Sequence, residues 1–479
     1  MNEMSSIKKE FVPSTEEMMA WTAKIFNQGI RLPGYPADYW VENWIKEQFE
    51  SLNLQNIKFE PINVKKWEAS NAKLEIWLHN DPPKRFDIPC FPIPYTSPTN
   101  GVEAELSMIS DDHDLSGRIA VYELNLTKLP VKLMAALRGA DRYYDPKNEF
   151  ETLEQTVPFD MNFENKVETL YKKKALGLIG ILSGYPCETD KYYVPYDAVE
   201  RKIPGIWISG KNGKKITDLM KKGKPKANIS YSGKISDVVS HNITGTLPGG
   251  ISSEWIVIGS HHDGPWNSAV EDASGMALVL AQAKYWSQIP KEQRPFNLMF
   301  LMNGAHMAGG LGQAEFVKRN KEFLKNVVAA IHLEHVARDV KRENGRMIPL
   351  DDPTVRWWFV SRILSLEEIT EEAIIKEDLQ RSLFLPPDDF IPGTDGPPTD
   401  GHSYQPAGIP FISFLTAPPY LFDSEDTMDK IHEESFVPLT RAVIRIINSL
   451  KGHTAKELRD QVLTKRERRR IRKKQIKKK

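Results

Sequence analysis

Three short apolar runs determine the fold predicted for this chain: EWIVIGSHHD (254–263), PFNLMFLMNG (295–304) and VVAAIHLEHVARD (327–339). Stretches with helical apolar spacing separate them, ASGMALVLAQAKYWSQI (273–289) and LGQAEFVKRNKEFLKN (311–326). Strands that alternate with helices indicate βαβ units and a mainly parallel sheet. In such sheets ligands bind at the carboxyl ends of the strands. We therefore expect the functional side chains at the carboxyl ends of these three predicted strands.

Imidazole and carboxylate side chains follow all three runs. The polar residues at these ends are His261, His262, Asp263, Asn303, His306, Glu334 and His335. A single histidine there is typical of a hydrogen-bonded structural residue, but three successive strands with such residues at one edge favour a metal site. Mixed nitrogen and oxygen donors suit zinc, manganese or iron(II), whereas magnesium and calcium prefer oxygen alone.

The composition places the chain among ordinary globular proteins. It has 479 residues, 40% hydrophobic and 27% charged, which excludes a disordered protein and makes two or three domains the natural expectation. No apolar run has the roughly 18 residues of a membrane-spanning helix. Two cysteines cannot form a disulfide framework. The start of the sequence lacks the apolar stretch of a secretory signal, so we expect a cytoplasmic protein.

The net charge of zero hides a basic end. Residues 465–479 carry 11 Lys or Arg and one Glu, a charge of +10 that leaves −10 for residues 1–464. Such a tail could contact RNA, anionic lipid or acidic protein surfaces. It could equally be a solvated helix extension without a specific role. The acidic body argues against nucleic acid as the main partner.

The remaining chain divides by pattern. Apolar spacing predicts two helices between residues 15 and 54, broken at RLPGYP (31–36), and then short strands at IKFEPINV (57–64) and AKLEIWL (72–78). A small α/β unit follows at about 100–235. No Gly-rich phosphate loop, Gly-x-Ser-x-Gly elbow or His-Glu-x-x-His helix is present. ATP use and a serine nucleophile therefore have no support.

Several segments resemble a known family. GSHHDGPWNSAVEDASG (259–275) is similar to the metal-binding stretch of the co-catalytic zinc aminopeptidases, metallopeptidase family 28. TDGHSYQPAGIPFISF (399–414) and SEDTMDKIHEE (424–434) resemble the closing segments of that family, and NITGTLPG (242–249) resembles its re-entry into the catalytic domain. The order matches the layout of the glutamate carboxypeptidase II and transferrin receptor branch.

The resemblance implies an α/β fold. It predicts a zinc-peptidase-like catalytic domain, with a mainly parallel mixed sheet flanked by helices, formed by residues 1–85 and 240–455. A protease-associated-like domain would be inserted at 100–235, and residues 456–479 would form the basic C-terminal tail. Relatives of this branch are often dimers, so a homodimer is possible, and no membrane span is expected.

The resemblance also assigns roles to four residues. His261 matches the first metal-binding histidine, and Asp263 matches the aspartate that orients it. Glu271 occupies the position of the bridging aspartate, and Glu334 that of an aspartate ligand. Both glutamates keep a carboxylate on an arm one methylene longer, so this metal site is expected to be chemically intact.

The second half of the family's site departs from the pattern. Ala305 occupies the position of the glutamate general base and His306 that of a glutamate ligand, while Phe422 stands where the last histidine ligand is expected. Asp423 or His402 could replace that ligand. Alanine cannot take a proton from water, so the family's mechanism cannot run unchanged.

Three hypotheses remain open. The chain could be a hydrolase of a small peptide or amide, with His306 as an extra ligand and His262, His335 or Asp263 as base. Its cofactor would be one or two divalent ions, most simply zinc, with manganese or iron as alternatives. It could instead be a non-catalytic relative that serves as a binding or scaffold protein. A third hypothesis is another reaction at the same metal, such as cyclisation or deamidation.

Two further residues, Trp266 and Arg338, each allow two interpretations, and a third, His432, is expected at the surface. Trp266 beside the metal loop is either a core residue or a platform for substrate. Arg338 could hold a substrate carboxylate, or it could form an ion pair with Asp339 or Glu343. His432, in a surface-like IHEE segment, is expected to face solvent.

Overall fold

The structure of the chain is a computed structural model. It describes residues 7–78, 85–109, 114–140, 142–160, 163–388, 396–462, 466, 467 and 470. The elements are numbered in chain order.

The helices are α1 (Thr15–Phe26), α2 (Pro36–Ser51), α3 (Val131–Arg138), α4 (Phe163–Lys172), α5 (Gly210–Lys222), α6 (Gly275–Gln288), α7 (Leu311–Arg319), α8 (Lys321–Leu324), α9 (Leu364–Lys376), α10 (Phe436–Ser449) and α11 (Ala455–Gln461). The strands are β1 (Gln55–Trp77), β2 (Phe86–Ile88), β3 (Phe91–Pro92), β4 (Thr99–Met108), β5 (Ile119–Glu123), β6 (Lys128–Pro130), β7 (Tyr143–Tyr144), β8 (Glu154–Thr156), β9 (Gly177–Leu182), β10 (Gly205–Ser209), β11 (Lys226–Leu247), β12 (Trp255–His261), β13 (Asn297–Asn303), β14 (Val327–Leu333), β15 (Arg338–Glu343), β16 (Arg346–Pro353), β17 (Arg356–Val360), β18 (Ser382–Leu385) and β19 (Phe411–Thr416).

The N-terminal helices form as predicted. The side chain of Ser14 caps α1 by accepting a hydrogen bond from the amide of Glu17, and Pro36 begins α2, where its missing N–H costs nothing. The strands that follow differ from the prediction. One continuous strand, β1, replaces the two short ones because it pairs antiparallel with β11 from Gln55 to Trp77.

The main sheet places its parallel strands at the centre. Strands β13, β12, β14 and β19 are mutually parallel, and antiparallel strands β11 and β17 flank them. The predicted α/β class with a mainly parallel, helix-flanked mixed sheet is confirmed. Strand β11 pairs with β13 through residues 243–247 and with β4 through residues 226–231, so the sheet continues into strands β5, β9 and β10. The boundaries of the inserted domain at 100–235 stay a prediction.

Helix α6 lies in the middle of the core. It packs between the sheet and helices α1 and α10, and every residue from Gly275 to Ala283 is buried. A helix that is apolar on all sides requires this enclosure. Because α6 is fixed on the sheet, the irregular turn Ala269–Ser274 that precedes it is fixed over the carboxyl ends of β12 and β14.

The structure bears differently on the two predictions about a membrane span and about the basic tail. Among the helices that the structure describes, none is long and apolar enough to cross a membrane. The basic tail begins inside α11, but beyond residue 462 only 466, 467 and 470 are described. The prediction that the tail contacts anionic partners therefore lies almost wholly outside the described residues.

Candidate metal centre

The carboxyl ends of β12, β13 and β14 meet at one edge of the sheet. His261 is the last residue of β12 and lies opposite Asn303, the last residue of β13. Glu334 and His335 follow β14 directly. All four side chains are at most 4% exposed. The structure thus brings together, in a buried site, polar groups that the sequence placed at three strand ends.

Backbone carbonyls determine which imidazole nitrogen of two histidines faces the centre. His261 Nδ1 donates to the carbonyl of Asp263 at 3.0 Å, and His335 Nδ1 donates to the carbonyl of Thr416 at 2.8 Å. Since a carbonyl only accepts, Nδ1 carries a hydrogen in both rings, and Nε2 is the nitrogen that remains to bind a metal. His261 Nε2 lies 3.3 Å from Glu271 Oε1, and His335 Nε2 lies 2.7 Å from Glu271 Oε2.

Two residues that the sequence did not single out hold Glu271 in place. The carboxylate of Asp426 accepts hydrogen bonds from the amides of Val270, at 2.8 Å, and Glu271, at 2.9 Å. The guanidinium of Arg31 is fully buried and donates to the carbonyls of His262, Asn267, Ser268 and Glu271 at 2.6–3.3 Å. It therefore joins both ends of the loop between His261 and Glu271. Burial lowers the pKa of Arg31 to about 10.

A histidine–aspartate pair lies beside these donors. His306 Nδ1 donates to Asp400 Oδ1 at 2.7 Å, and Asn303 donates to Asp400 Oδ2 at 2.9 Å. The ring of His306 stacks parallel on that of His261, with centroids 4.0 Å apart, and on its other side faces Tyr196. From the sequence, Asp400 is compatible with a metal ligand and with a turn cap. The structure pairs it with His306 and Asn303 instead.

The remaining positions of the family pattern are apolar. Ala305 has a left-handed backbone, with φ of 57°, and its methyl group packs with Ile62 and Val64 of β1. Phe422 is buried and stacks on Tyr196, with ring centroids 4.9 Å apart. Neither side chain offers a ligand atom or a base.

Opposing charges shape the ionisation of the cluster. Burial opposes ionisation of Glu271, but His335 and His261 outweigh it and hold its pKa well below the usual range. Burial likewise opposes the charged form of His335, yet Glu271 raises its pKa to about 10. Burial and the charge of Asp400 raise the pKa of Glu334 to about 8. The cluster is therefore rich in buried carboxylates that need positive charge close by.

The residues present fit a divalent cation. Donor atoms of His261, Glu271 and His306 lie within 4.8 Å of one another, and so do those of His261, Glu334 and His335. In the described part of the chain, His261 Nε2, His335 Nε2 and both carboxylate oxygens of Glu271 are buried and have no hydrogen-bond partner outside this group. Unsatisfied buried polar atoms are costly unless a ligand completes them. Their mixture of nitrogen and oxygen suits zinc and similar transition metals.

Two residues considered as bases are engaged elsewhere. The carboxylate of Asp263 accepts the amides of His306, at 3.0 Å, and Met307, at 2.7 Å, while its carbonyl rather than its carboxylate accepts from His261. His262 turns away from the centre and donates through Nε2 to the carbonyl of His241 at 2.9 Å.

Two of the residues predicted as alternative ligands, His402 and Asp423, lie outside the cluster. His402 is exposed, with Nδ1 3.3 Å from the carbonyl of Pro397. Asp423 is buried and accepts from the amide of Glu425 at 2.7 Å. The structure does not bring either side chain to the metal donors.

Trp266 and Arg338 are held by their own neighbours. The indole of Trp266 donates to the carbonyl of Phe422 at 3.1 Å. Arg338 donates to the carbonyl of Ile431 at 2.9 Å and pairs with Glu434 at 3.1 Å, not with Asp339 or Glu343.

His432 is not solvent-facing, as the sequence suggested, but only 8% exposed. Its Nδ1 lies 2.6 Å from the hydroxyl of Ser435.

Comparison with known proteins agrees with the fold. Residues 242–447 match the model of peptidase family M28. A comparison with curated protein sequences finds no match.

Solved structures of similar fold cover nearly the whole chain. An aminopeptidase from Aneurinibacillus sp. strain AM-1 is 18% identical, with a TM-score of 0.63 over 93% of this chain and 95% of its own. BSAP, a zinc aminopeptidase from Bacillus subtilis, is 16% identical, with a TM-score of 0.63 over 93% and 97%. A peptidase M28 precursor from Shewanella amazonensis SB2B is 17% identical, with a TM-score of 0.64 over 91% and 97%. At these identities the likeness is one of fold.

Proposed function

We propose that this chain, whose residues 242–447 match the model of peptidase family M28, hydrolyses a peptide or amide bond of a small substrate with a divalent cation. The observation that carries the proposal is the convergence, at the carboxyl edge of the sheet, of buried donor atoms from His261, Glu271 and His335 that face one another and have no other hydrogen-bond partner among the described residues. The name of one structural relative, a zinc aminopeptidase, supports zinc as the cation and the end of a peptide as the substrate.

Four side chains would hold the cation: His261, Glu271, Glu334 and His335. A cation bound there would polarise the scissile carbonyl and make the attacking water more acidic. The carbonyls of Asp263 and Thr416 keep each imidazole in the tautomer that presents Nε2. Such outer contacts commonly set both ring orientation and ligand basicity.

His306 is the residue that we propose takes the proton from the attacking water. Its ring lies nearly parallel to that of His261, with the centroids 4.0 Å apart, so the lone pairs of the two rings lie in separate planes, which is poor geometry for binding one ion. Asp400 accepts from Nδ1 and leaves Nε2 to receive the proton and return it to the leaving amine. The His306–Asp400 pair would replace the glutamate base of the family, whose position Ala305 occupies here. This role for His306 differs from the sequence-based prediction that His306 is a metal ligand.

Metal content and turnover test the proposal together. The chain is purified without chelator, its metals are counted, and it is assayed with aminoacyl amides, dipeptides and carboxyl-end substrates. We expect bound zinc, and we expect His261→Ala to lose metal and turnover while it stays folded. The control is His453→Ala, which removes a partly exposed histidine that contacts Glu457. Full metal in His261→Ala would refute the site.

The same assays separate the alternatives. Metal retained without turnover of any substrate would favour a non-catalytic binding or scaffold protein, for which the apolar Ala305 is the supporting observation. Cyclised or deamidated products would favour another reaction at the same metal. The count also decides between one ion and two, and between zinc, manganese and iron.

The expectations about location and assembly are proposals of the same kind. A cytoplasmic location, a homodimer and contact of the basic tail with an anionic partner rest on the sequence alone. Fractionation, light scattering and binding to anionic vesicles would test them.

A further inference from the structure

A second cluster of potential metal ligands lies behind the centre and shares no side chain with it. Asp38 and Glu42 are one turn apart on α2, and His262 directly follows β12. These three side chains are at most 2% exposed, and one donor atom from each lies within 4.8 Å of the others. None of the three has a role in the function proposed above.

His262 presents a free lone pair to the two carboxylates. Its Nε2 donates to the carbonyl of His241, so Nδ1 is the nitrogen without hydrogen. That Nδ1 is fully buried and has no hydrogen-bond partner among the residues that the structure describes. It lies 3.5 Å from Asp38 Oδ1. This separation is too long for a hydrogen bond, but it is close to the roughly 3.3–3.5 Å between two donor atoms on a tetrahedral zinc ion.

Neighbouring groups hold both carboxylates in position. Glu42 Oε1 accepts from the amide of His241 at 2.7 Å and from the hydroxyl of Ser240 at 3.2 Å, and Glu42 Oε2 lies 2.9 Å from His241 Nδ1. Asp38 Oδ2 accepts from the amide of Gly34 at 2.8 Å. Glu42 Oε1 uses both of its lone pairs in this way, whereas Glu42 Oε2 and Asp38 Oδ2 each keep one, and hydrogen-bonded carboxylates of this kind are typical of metal ligands.

The negative charge of the cluster also favours a bound cation. Two carboxylates are buried side by side, and no lysine or arginine in the described part of the chain forms an ion pair with either of them. The partly exposed His241 pairs with Glu42, and outside the cluster no further ion pair to either carboxylate is formed within the described residues. Buried charges are otherwise paired or coordinate metals.

We propose that Asp38, Glu42 and His262 hold a second divalent cation of the zinc class, with a structural role. The ion would join α2 to the residue that follows His261, and it would thereby fix the strand end on which the candidate metal centre is built. Mixed nitrogen and oxygen donors favour zinc, cobalt or manganese over calcium.

Elemental analysis of the holoprotein tests this site. Asp38→Asn keeps the size of the side chain and removes its charge, so we expect it to lose one equivalent of metal and to unfold at a lower temperature. The matched control is Glu47→Gln on the exposed face of α2, which should keep the full count. An unchanged count in Asp38→Asn would overturn the proposal and indicate a protonated acid in a hydrogen-bond network.

A second variant avoids the risk that Asp38→Asn fails to fold. Glu334→Gln damages the candidate metal centre and leaves the second cluster intact, so it should keep one equivalent of zinc, and its Co²⁺-loaded form should show absorption of a single nitrogen- and oxygen-bound ion. No metal in Glu334→Gln would overturn the second site. Failure of the proposed hydrolysis is distinguishable, because it would leave this equivalent unchanged.

Discussion

At the scale of single residues, the centre depends on groups that do not touch a metal. Arg31 and Asp426 fix the backbone around Glu271, and Asp400 fixes the ring of His306. None of them stands near the histidine motif in sequence. Arg31 donates to four carbonyls, Asp426 accepts from two amides and Asp400 accepts from His306, all in a buried setting where a lost partner costs more than it would at the surface.

Replacement of Arg31 by methionine should destabilise the fold and the centre together. The four carbonyls that its guanidinium satisfies would lose a charged donor, so we expect Arg31→Met to lower the free energy of unfolding by about 3 kcal/mol. Urea unfolding and metal content measure the two effects. Arg342→Met, which changes a half-exposed arginine, should stay within about 0.5 kcal/mol of the parent chain. Equal stability of the two variants would contradict the role assigned to Arg31.

Replacement of Asp400 by asparagine should separate proton transfer from metal binding. Asparagine still fills the site but holds the imidazolium of His306 less well, so we expect kcat to fall by about 10²-fold while the metal count is retained. The measurement is kcat beside elemental analysis of the same sample. Loss of an ion in Asp400→Asn would instead favour His306 as a ligand, as the sequence suggested.

At the scale of elements, a buried histidine lies before α10. His432 contacts Ser435, and burial together with the charge of Arg356 lowers the pKa of His432 to about 4. The folded state thus favours the neutral ring, while the unfolded chain binds a proton near pH 6.5. The contribution of neutral His432 to the free energy of unfolding is complete above about pH 6.5 and is lost as the pH falls towards 4.

Unfolding at several pH values tests this effect. Between pH 6.5 and 4, His432 should contribute roughly 1.4 kcal/mol per pH unit to the slope of the unfolding free energy. We therefore expect His432→Gln to have a shallower acid dependence than the parent chain in urea titrations at pH 4.5, 5.5 and 7. Parallel slopes for the two proteins would contradict a buried, neutral His432.

At the scale of the whole molecule, the long ribbon of β1 and β11 joins the two parts of the sheet. Strand β11 pairs with β4 at its start and with β13 at its end, and β1 accompanies it along its length. Helix α2 packs on the same ribbon, so the N-terminal segment, the ribbon and the metal centre form one connected unit.

Removal of metal should therefore weaken the entire fold. A ligand that binds only the folded state stabilises it by about 4 kcal/mol at a thousandfold excess over its dissociation constant. We expect a strong chelator to lower the unfolding temperature, and zinc to restore it where magnesium does not. Calorimetry with and without chelator is the measurement. An unfolding temperature unaffected by complete removal of metal would contradict both metal proposals.

The sequence by itself determined the α/β class, the two N-terminal helices and the histidines and carboxylates at the strand ends, because hydrophobic periodicity and local motifs are written in neighbouring residues. Only the tertiary structure decided the partners of those groups. Arg31, Asp38, Asp400 and Asp426 reach the site from loops and helices distant in the chain, and their contacts depend on how the sheet brings those segments together. His432 was misjudged for the same reason, since its burial comes from packing and not from the local pattern.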